Sequence, residues 1–208
     1  MPSKIFDLGY EYLLTDPKLG PVLKKYGKGK IGRKGDTYEA LTRAIIFQQL
    51  SGKAAGSIYK KYSTLFTNGV PTWQQFFKKK RDILRSAGIS NQKCNYLYDL
   101  SCKFRDGFIQ PKLFPKMTDE QIREHLVAVK GIGVWTADMF LIFTLGRPDV
   151  LPTGDLGVRK GYQILFKMSE LPDHSKMEKL AKKWAPYRTI ASWYLWKVAD
   201  EAKEKKEK

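Results

Sequence analysis

The chain is poor in sulfur and in histidine. Cys94 and Cys102 are its only cysteines among 208 residues, which excludes a disulfide scaffold and any zinc or iron–sulfur centre made of four cysteine thiolates. His125 and His174 are the only histidines, far apart and without a HExxH pattern, which argues against a histidine-rich metal site. No segment reaches the roughly eighteen apolar residues that a membrane span needs. The opening stretch MPSKIFDLGYEYLLTDP has neither a secretory apolar region nor a cleavage site, so a reducing compartment, the cytosol or the nucleus, is expected. Acidic residues are also scarce. There are 21 of them against 38 Lys and Arg, a net charge of +17. An excess of that size speaks to partners rather than to fold, and it favours a polyanion such as nucleic acid or an anionic membrane surface.

What is present fits a globular protein. Apolar residues make up 42% and aromatic residues 13%, enough for a packed core at a length that suits one or two domains. The positive charge is not a basic tail, because the closing stretch KVADEAKEKKEK nearly balances its lysines with acids. Two runs stand out instead. From Lys24 to Gly35 the chain reads KKYGKGKIGRKG, a glycine-broken loop without an acid; Lys78-Lys79-Lys80-Arg81 follows Phe76-Phe77. Either run could be a solvated face or a contact with phosphate.

Helical periodicity dominates and alternating strand patterns are scarce, so the fold is expected to be all-α. A helix from Thr37 to Gln49 puts Leu41, Ala44, Ile45 and Gln48 on one side. Thr118 is a natural N-cap with Gln121 three residues later, and the helix it opens carries Ile122, Leu126 and Val129 inward until Gly131. A further helix begins near Val134 and passes Trp135, Met139, Ile142 and Phe143, with Gly146 and Pro148 ending it. Another follows Pro186, with Ile190, Tyr194 and Val198 four apart.

The informative stretch is Leu126 to Lys160. Two helices flank Lys130-Gly131-Ile132-Gly133, with Ile132 as an apolar pin. Glycines at alternate positions allow positive φ and close approach of a ligand, and the amides that open the next helix suit a phosphate. Carbonyls just before the turn suit a monovalent cation bridging to that phosphate. Asp155 lies 24 residues beyond Gly131, in a Gly/Pro loop just where Leu156-Gly157-Val158-Arg159 resumes a helix. By itself such an aspartate is more commonly a helix cap than a catalyst.

Three blocks together resemble the helix–hairpin–helix DNA glycosylases, and within them the alkylpurine (3-methyladenine) branch of compact, single-module type found in eukaryotic microbes. The blocks are AIIFQQLSGKAA from Ala44, VKGIGVWTADMFLIFTLGRPDVLPTGDLGVRKGY from Val129, and WAPYRT from Trp184 continuing to Trp193-Tyr194-Leu195-Trp196. The resemblance spans roughly residues 35 to 198 and leaves no room for the N-terminal β-rich domain of some bacterial relatives. It implies two interleaved helical subdomains over 1–200 with a DNA-binding cleft between them, and a charged tail over 201–208.

The resemblance also implies a chemistry. The enzyme would bind duplex DNA carrying alkylated bases or abasic sites, flip the damaged nucleotide and hydrolyse its N-glycosidic bond. Asp155 would stabilise the cationic sugar and help orient water at C1′. Gln49, Leu50, Ser51, Gly52 and Lys53 would enter the minor groove, with Gln49 or Leu50 as the wedge. Lys130, Gly131, Ile132, Gly133, Val134, Trp135 and Thr136 would grip a phosphate, helped by Arg159. The base pocket would draw on Phe47, Trp135, Gly157 and Trp193. The carbonyls of Val127, Val129 and Ile132 fall at a Na+ or K+ position; no other cofactor is required. Trp135 stands where bifunctional relatives carry a Schiff-base lysine, so no lyase activity is expected.

Bland readings stand beside these. Trp135, Trp184, Trp193 and Trp196 fit a core as well as a base stack, Arg188 fits a pair with a core acid, and Asp138 fits a contact within its helix or across the hairpin. Gly52, Gly154 and Gly157 depart from the family pattern and remove side-chain contacts near the lesion. The alternative is therefore a homologue that binds and bends abasic or distorted DNA with little or no excision. A nuclear monomer without membrane association is expected in either case.

Overall fold

The computed structural model describes residues 3–31 and 36–205, so residues 32–35 of the first basic run lie outside the described part. Among the described residues there are helices and turns and no strand, as the periodicity predicts. The helices are α1 (Ser3–Leu14), α2 (Gly20–Tyr26), α3 (Thr37–Phe47), α4 (Gly52–Ser63), α5 (Trp73–Phe77), α6 (Arg81–Ser86), α7 (Asn91–Arg105), α8 (Asp119–Val127), α9 (Val134–Phe140), α10 (Leu156–Leu165), α11 (His174–Ala181) and α12 (Arg188–Glu204). They fall into two compact units. One is continuous, Lys34–Phe140; the other is built from both ends, Met1–Arg33 with Leu141–Lys208.

Short polar side chains set most helix starts, because the first amides of a helix have no partner within it. Asp36 accepts from Tyr38 and Glu39 N–H at the head of α3, Ser51 from Ala54 N–H at α4, Thr72 from Gln75 N–H at α5 and Ser90 from Lys93 N–H at α7. Thr118 and Gln121 form the capping box expected of them, each side chain bonded to the other's backbone N–H. Helix α3 stops at Phe47 rather than Gln49, because Gln48 turns extended (ψ 136°) and Gln49 is left-handed (φ 55°).

The continuous unit buries Leu41, Ile45, Ile46, Leu97, Leu100, Ile122, Leu126, Val129, Ile132 and Phe140. Asp138 of α9 is buried and accepts from Arg123 Nε of α8 at 2.9 Å, so Asp138 is a contact across the hairpin. Burial pushes its carboxyl upward, against the pull of the Arg123 charge.

In the other unit the chain after α9 widens into a π-helical turn, Leu141–Leu145. The connection to Asp155 is then latched to the head of α12. Arg188 forks onto Asp149 with two bonds of 2.7 Å, the pair with an acid that its position allowed. Thr189 Oγ1 donates to Arg147 O and accepts from Val150 N–H. Helices α10 and α12 cross where Gly161 meets Leu195; a Cβ on Gly161 would lie 2.3 Å from the Leu195 carbonyl oxygen. Trp184 is core, with Tyr162 and Phe166 against it. Helix α12 runs to Glu204, and Glu201 bonds Tyr26 Oη, Lys25 and Lys205. The first residues of the charged tail expected over 201–208 therefore continue α12 as its last turn.

Candidate nucleic-acid interface

The α3–α4 connection, Gln48 to Ser51, belongs to the continuous unit. Gln49 and Leu50 are exposed, while Ser51 is spent on the α4 cap. Lys53 is exposed, and Gly52 has open space where a Cβ would stand. The loop is held from below. Lys93 Nζ of α7 donates to Ile46 O at 2.7 Å and to Gln48 O at 2.9 Å. Its ammonium thus sits on the negative end of α3, and burial pulls it down from the ordinary lysine range. Gln48 Nε2 donates to Gly131 O at 2.7 Å, which fastens the loop to the turn between α8 and α9.

That turn rests on α7 as well. Gly131 is left-handed (φ 83°), and a Cβ there would come within 2.2 Å of the Tyr96 ring. Lys130 N–H donates to Asp99 Oδ2 at 2.9 Å. Ile132 is buried and its N–H donates to Val129 O, so the pin is real. Gly133 is open, and Val134 and Trp135 are 56% and 50% exposed. Trp135 is thus a surface aromatic and not core. Thr136 is buried, so its side chain does not face solvent as a phosphate contact would. Val127 is exposed and Val129 is buried. Phe47 is half-buried, with the Arg43 guanidinium 4.1 Å from its ring centre and Tyr59 edge-on to it.

Asp155 lies in the other unit. It is the N-cap of α10: Oδ1 accepts Val158 N–H at 2.8 Å and Trp196 Nε1–H of α12 at 2.8 Å. Phe143 stacks on Trp196, ring centres 5.8 Å apart. Gly157 explains how the indole gets there. A Cβ on Gly157 would stand 2.8 Å from Trp196 Cδ1 and 3.1 Å from Asp155 Oδ1. Its missing side chain is therefore not an empty contact, as the sequence suggests; the space is taken by Trp196. At Gly154 nothing fills the space. Arg159 Nε donates to Pro172 O, so part of its guanidinium braces the approach to α11.

Trp193, expected in the base pocket, is packed instead. Phe6 and Tyr194 stand edge-on to it, and the Gly29 backbone lies against its six-membered ring. The tryptophan beside Asp155 is Trp196, for which the spacing left core and base stack both open. Of the four pocket residues, Phe47 and Trp135 belong to the continuous unit, and Gly157 and Trp193 to the other. Sequence reasoning missed Lys93, Tyr96 and Asp99. Their only signal was a three-residue rhythm along one helix, and that rhythm is common to every helix surface. Among the described residues, no group of three or more His, Cys, Asp or Glu side chains is placed to hold a metal ion, and no helix is long and apolar enough to cross a membrane.

Comparison with known proteins bears on these positions together. Residues 42–186 match the family model described as HhH-GPD superfamily base excision DNA repair protein. DNA-3-methyladenine glycosylase 1 of Schizosaccharomyces pombe is 35% identical over 88% of this chain and 81% of its own length. The alkylbase DNA glycosidase-like protein mag2 of the same yeast is 34% identical, over 88% of each chain. A solved structure of the S. pombe 3-methyladenine DNA glycosylase Mag1 in complex with abasic DNA superposes with a TM-score of 0.79 at 33% identity, covering 92% of this chain and 96% of that one. With a match through the α3–α4 loop, the hairpin and Asp155, the chain belongs to the HhH-GPD superfamily of base excision DNA repair proteins.

Proposed function

We propose that this protein is a monofunctional DNA glycosylase that releases alkylated purines, 3-methyladenine among them, from duplex DNA. The observation that carries the reading is Asp155, a carboxylate held by Val158 N–H and the Trp196 indole at the head of a helix, in a chain this similar to a 3-methyladenine glycosylase. An alkylated purine is already cationic and leaves with the electron pair of its glycosidic bond. Positive charge then grows on the sugar, and a fixed anion beside it stabilises the transition state. Water adds at C1′ and loses its proton, so the products are free base and an abasic site. Gln49 and Leu50 fill the gap in the stack, and the hairpin from Lys130 holds a phosphate. The main-chain carbonyls of Val127, Val129 and Ile132 are hard oxygen donors of the kind that suit Na+ or K+, which would add positive charge beside that phosphate. With Trp135 in place of an amine no Schiff base forms, so the DNA strand stays intact. The DNA substrate is the sole basis on which we infer nuclear residence.

A second reading is favoured by the open space at Gly52 and Gly154: binding of abasic or distorted DNA with little excision. One assay separates the two. Excess protein is incubated with methylated DNA and released 3-methyladenine and 7-methylguanine are counted, while the same protein is titrated against intact and abasic-analogue duplexes. Release supports the glycosylase. Selective abasic binding without release supports the second reading, equal affinity for both duplexes defeats it, and absence of release defeats the glycosylase.

Trp196→Phe sharpens the test. The ring and its stack on Phe143 survive, while the N–H donated to Asp155 is lost. A hydrogen bond to a charged group contributes about 1.5–3 kcal/mol, so single-turnover release should slow by about tenfold or more at saturating protein, with abasic affinity little changed. An unchanged rate would mean that Trp196 does not hold the carboxylate during the reaction.

A further inference from the structure

Two segments of the continuous unit expose residues toward solvent, Gln49-Leu50 after α3 and Gly133-Val134-Trp135 where the turn passes into α9. Both are fastened to a single helix. Along α7, Lys93 holds the carbonyls of Ile46 and Gln48, Tyr96 lies under Gly131, and Asp99 holds Lys130 N–H. Gln48 closes the circuit by donating to Gly131 O. These residues recur three apart, so they share one stripe of the helix.

The Lys93 ammonium is directed at backbone. Both of its hydrogen bonds end on main-chain carbonyls, one in the last turn of α3 and one at Gln48 just beyond it. An ammonium at a helix C-terminus is favourable, but this one does more than cap. It brackets the residue before Gln49, whose φ of 55° is costly for a side chain other than glycine. Such a conformation persists only where its surroundings fix it on more than one side. Here the two fixing bonds are the Lys93 ammonium on Gln48 O and the Gln48 amide on Gly131 O.

We propose that Lys93 is a positioning residue: its ammonium locks the Gln48–Gln49 backbone so that Gln49 and Leu50 are presented as a rigid wedge, in fixed register with the hairpin seated on the same helix. The proposal rests on the reading of this loop as the DNA wedge. A loop free to move would lose its strained turn, and inserting it would then cost ordering entropy at each encounter. Lys93 contributes nothing to phosphate affinity in this scheme. It governs whether a bound duplex is opened.

The test uses Lys93→Met in the full chain with a duplex carrying a tetrahydrofuran abasic analogue and 2-aminopurine opposite the gap. Wild-type protein should raise 2-aminopurine fluorescence on binding as the wedge unstacks the base. Lys93→Met should bind the same duplex within about threefold of wild type yet lose most of the fluorescence rise. Leu50→Ala is the comparator, and the double variant should be little worse than either single one, since both remove the same element. Gln48→Leu cuts the other tether while leaving Lys93 in place and should give the same split, which keeps the test open if Lys93→Met fails to fold. Lys93→Arg should recover part of the signal. A full fluorescence rise with folded Lys93→Met overturns the proposal, as does a loss of affinity matching the loss of signal. No base need be released, so absence of glycosylase activity in the wild type would sink that reading and leave this test standing. If the double variant Gln49→Ala, Leu50→Ala leaves the wild-type signal unchanged, the wedge reading itself falls.

Discussion

Asp155→Asn should release methylated purines at least about 10²–10³ times more slowly than wild type, the usual cost of removing one preorganised electrostatic group from a transition state. The substitution isolates charge. Asparagine caps a helix about as well as aspartate, and its Oδ1 can still accept Val158 N–H and the Trp196 indole. Helix α10 and its crossing with α12 should therefore survive, and abasic-duplex affinity should stay within a few-fold. Single-turnover release from methylated DNA, with affinity measured on the same preparation, gives both values. A variant that excises at the wild-type rate would reduce Asp155 to the cap that its position alone suggests and leave the chemistry elsewhere.

The second large effect is on stability. Gly161→Val should lower the unfolding free energy by about 3 kcal/mol or more, at the upper end for overpacking. The reason is the identity of the neighbour. Where Gly157 faces the edge of an indole, Gly161 faces a main-chain carbonyl of α12, 2.3 Å from where a Cβ would stand. A side chain can rotate away, whereas a helix backbone has to move as a whole. For a chain of this length the unfolding midpoint should fall by roughly 6–12 °C, read by circular dichroism. The shift also separates Asp155 from Trp196, the residue after Leu195, so excision by the folded fraction should drop as well. A midpoint within a degree of wild type would show that α10 and α12 can part without loss.

How much of this the sequence disclosed depended on the range of the interaction. Local devices were legible. The Thr118–Gln121 box, the left-handed Gly131 and the end of the last helical run before Gly146 all follow from a few neighbouring residues. Asp155 was legible as a cap, and the resemblance added the expectation that it is the catalyst. Contacts between distant segments were not. Trp193 and Trp196 are one turn apart on α12, and nothing in their spacing says that one meets Phe6 and Gly29 while the other reaches Asp155. Gly157 looked like a loss of contacts because the residue that replaces them arrives from 39 positions further along the chain. Lys93 carried no signal of its own, since its two acceptors are carbonyls, which every residue has.

The unit that carries Asp155 is assembled from both ends of the chain, and this has a consequence for synthesis. While the ribosome makes residues 34–140, helices α1 and α2 are already out. Helices α1 and α2 can pack on each other, but Phe6, which meets Trp193 and Tyr194, waits for α12. At about 5–20 residues per second the delay is on the order of ten to thirty seconds. The continuous unit, with its wedge loop and hairpin, has all its residues well before then. Each newly made molecule thus passes through an interval in which the proposed DNA grip has all its residues but Asp155 has no helix to cap, and in which α1 and α2 still lack their partner α12.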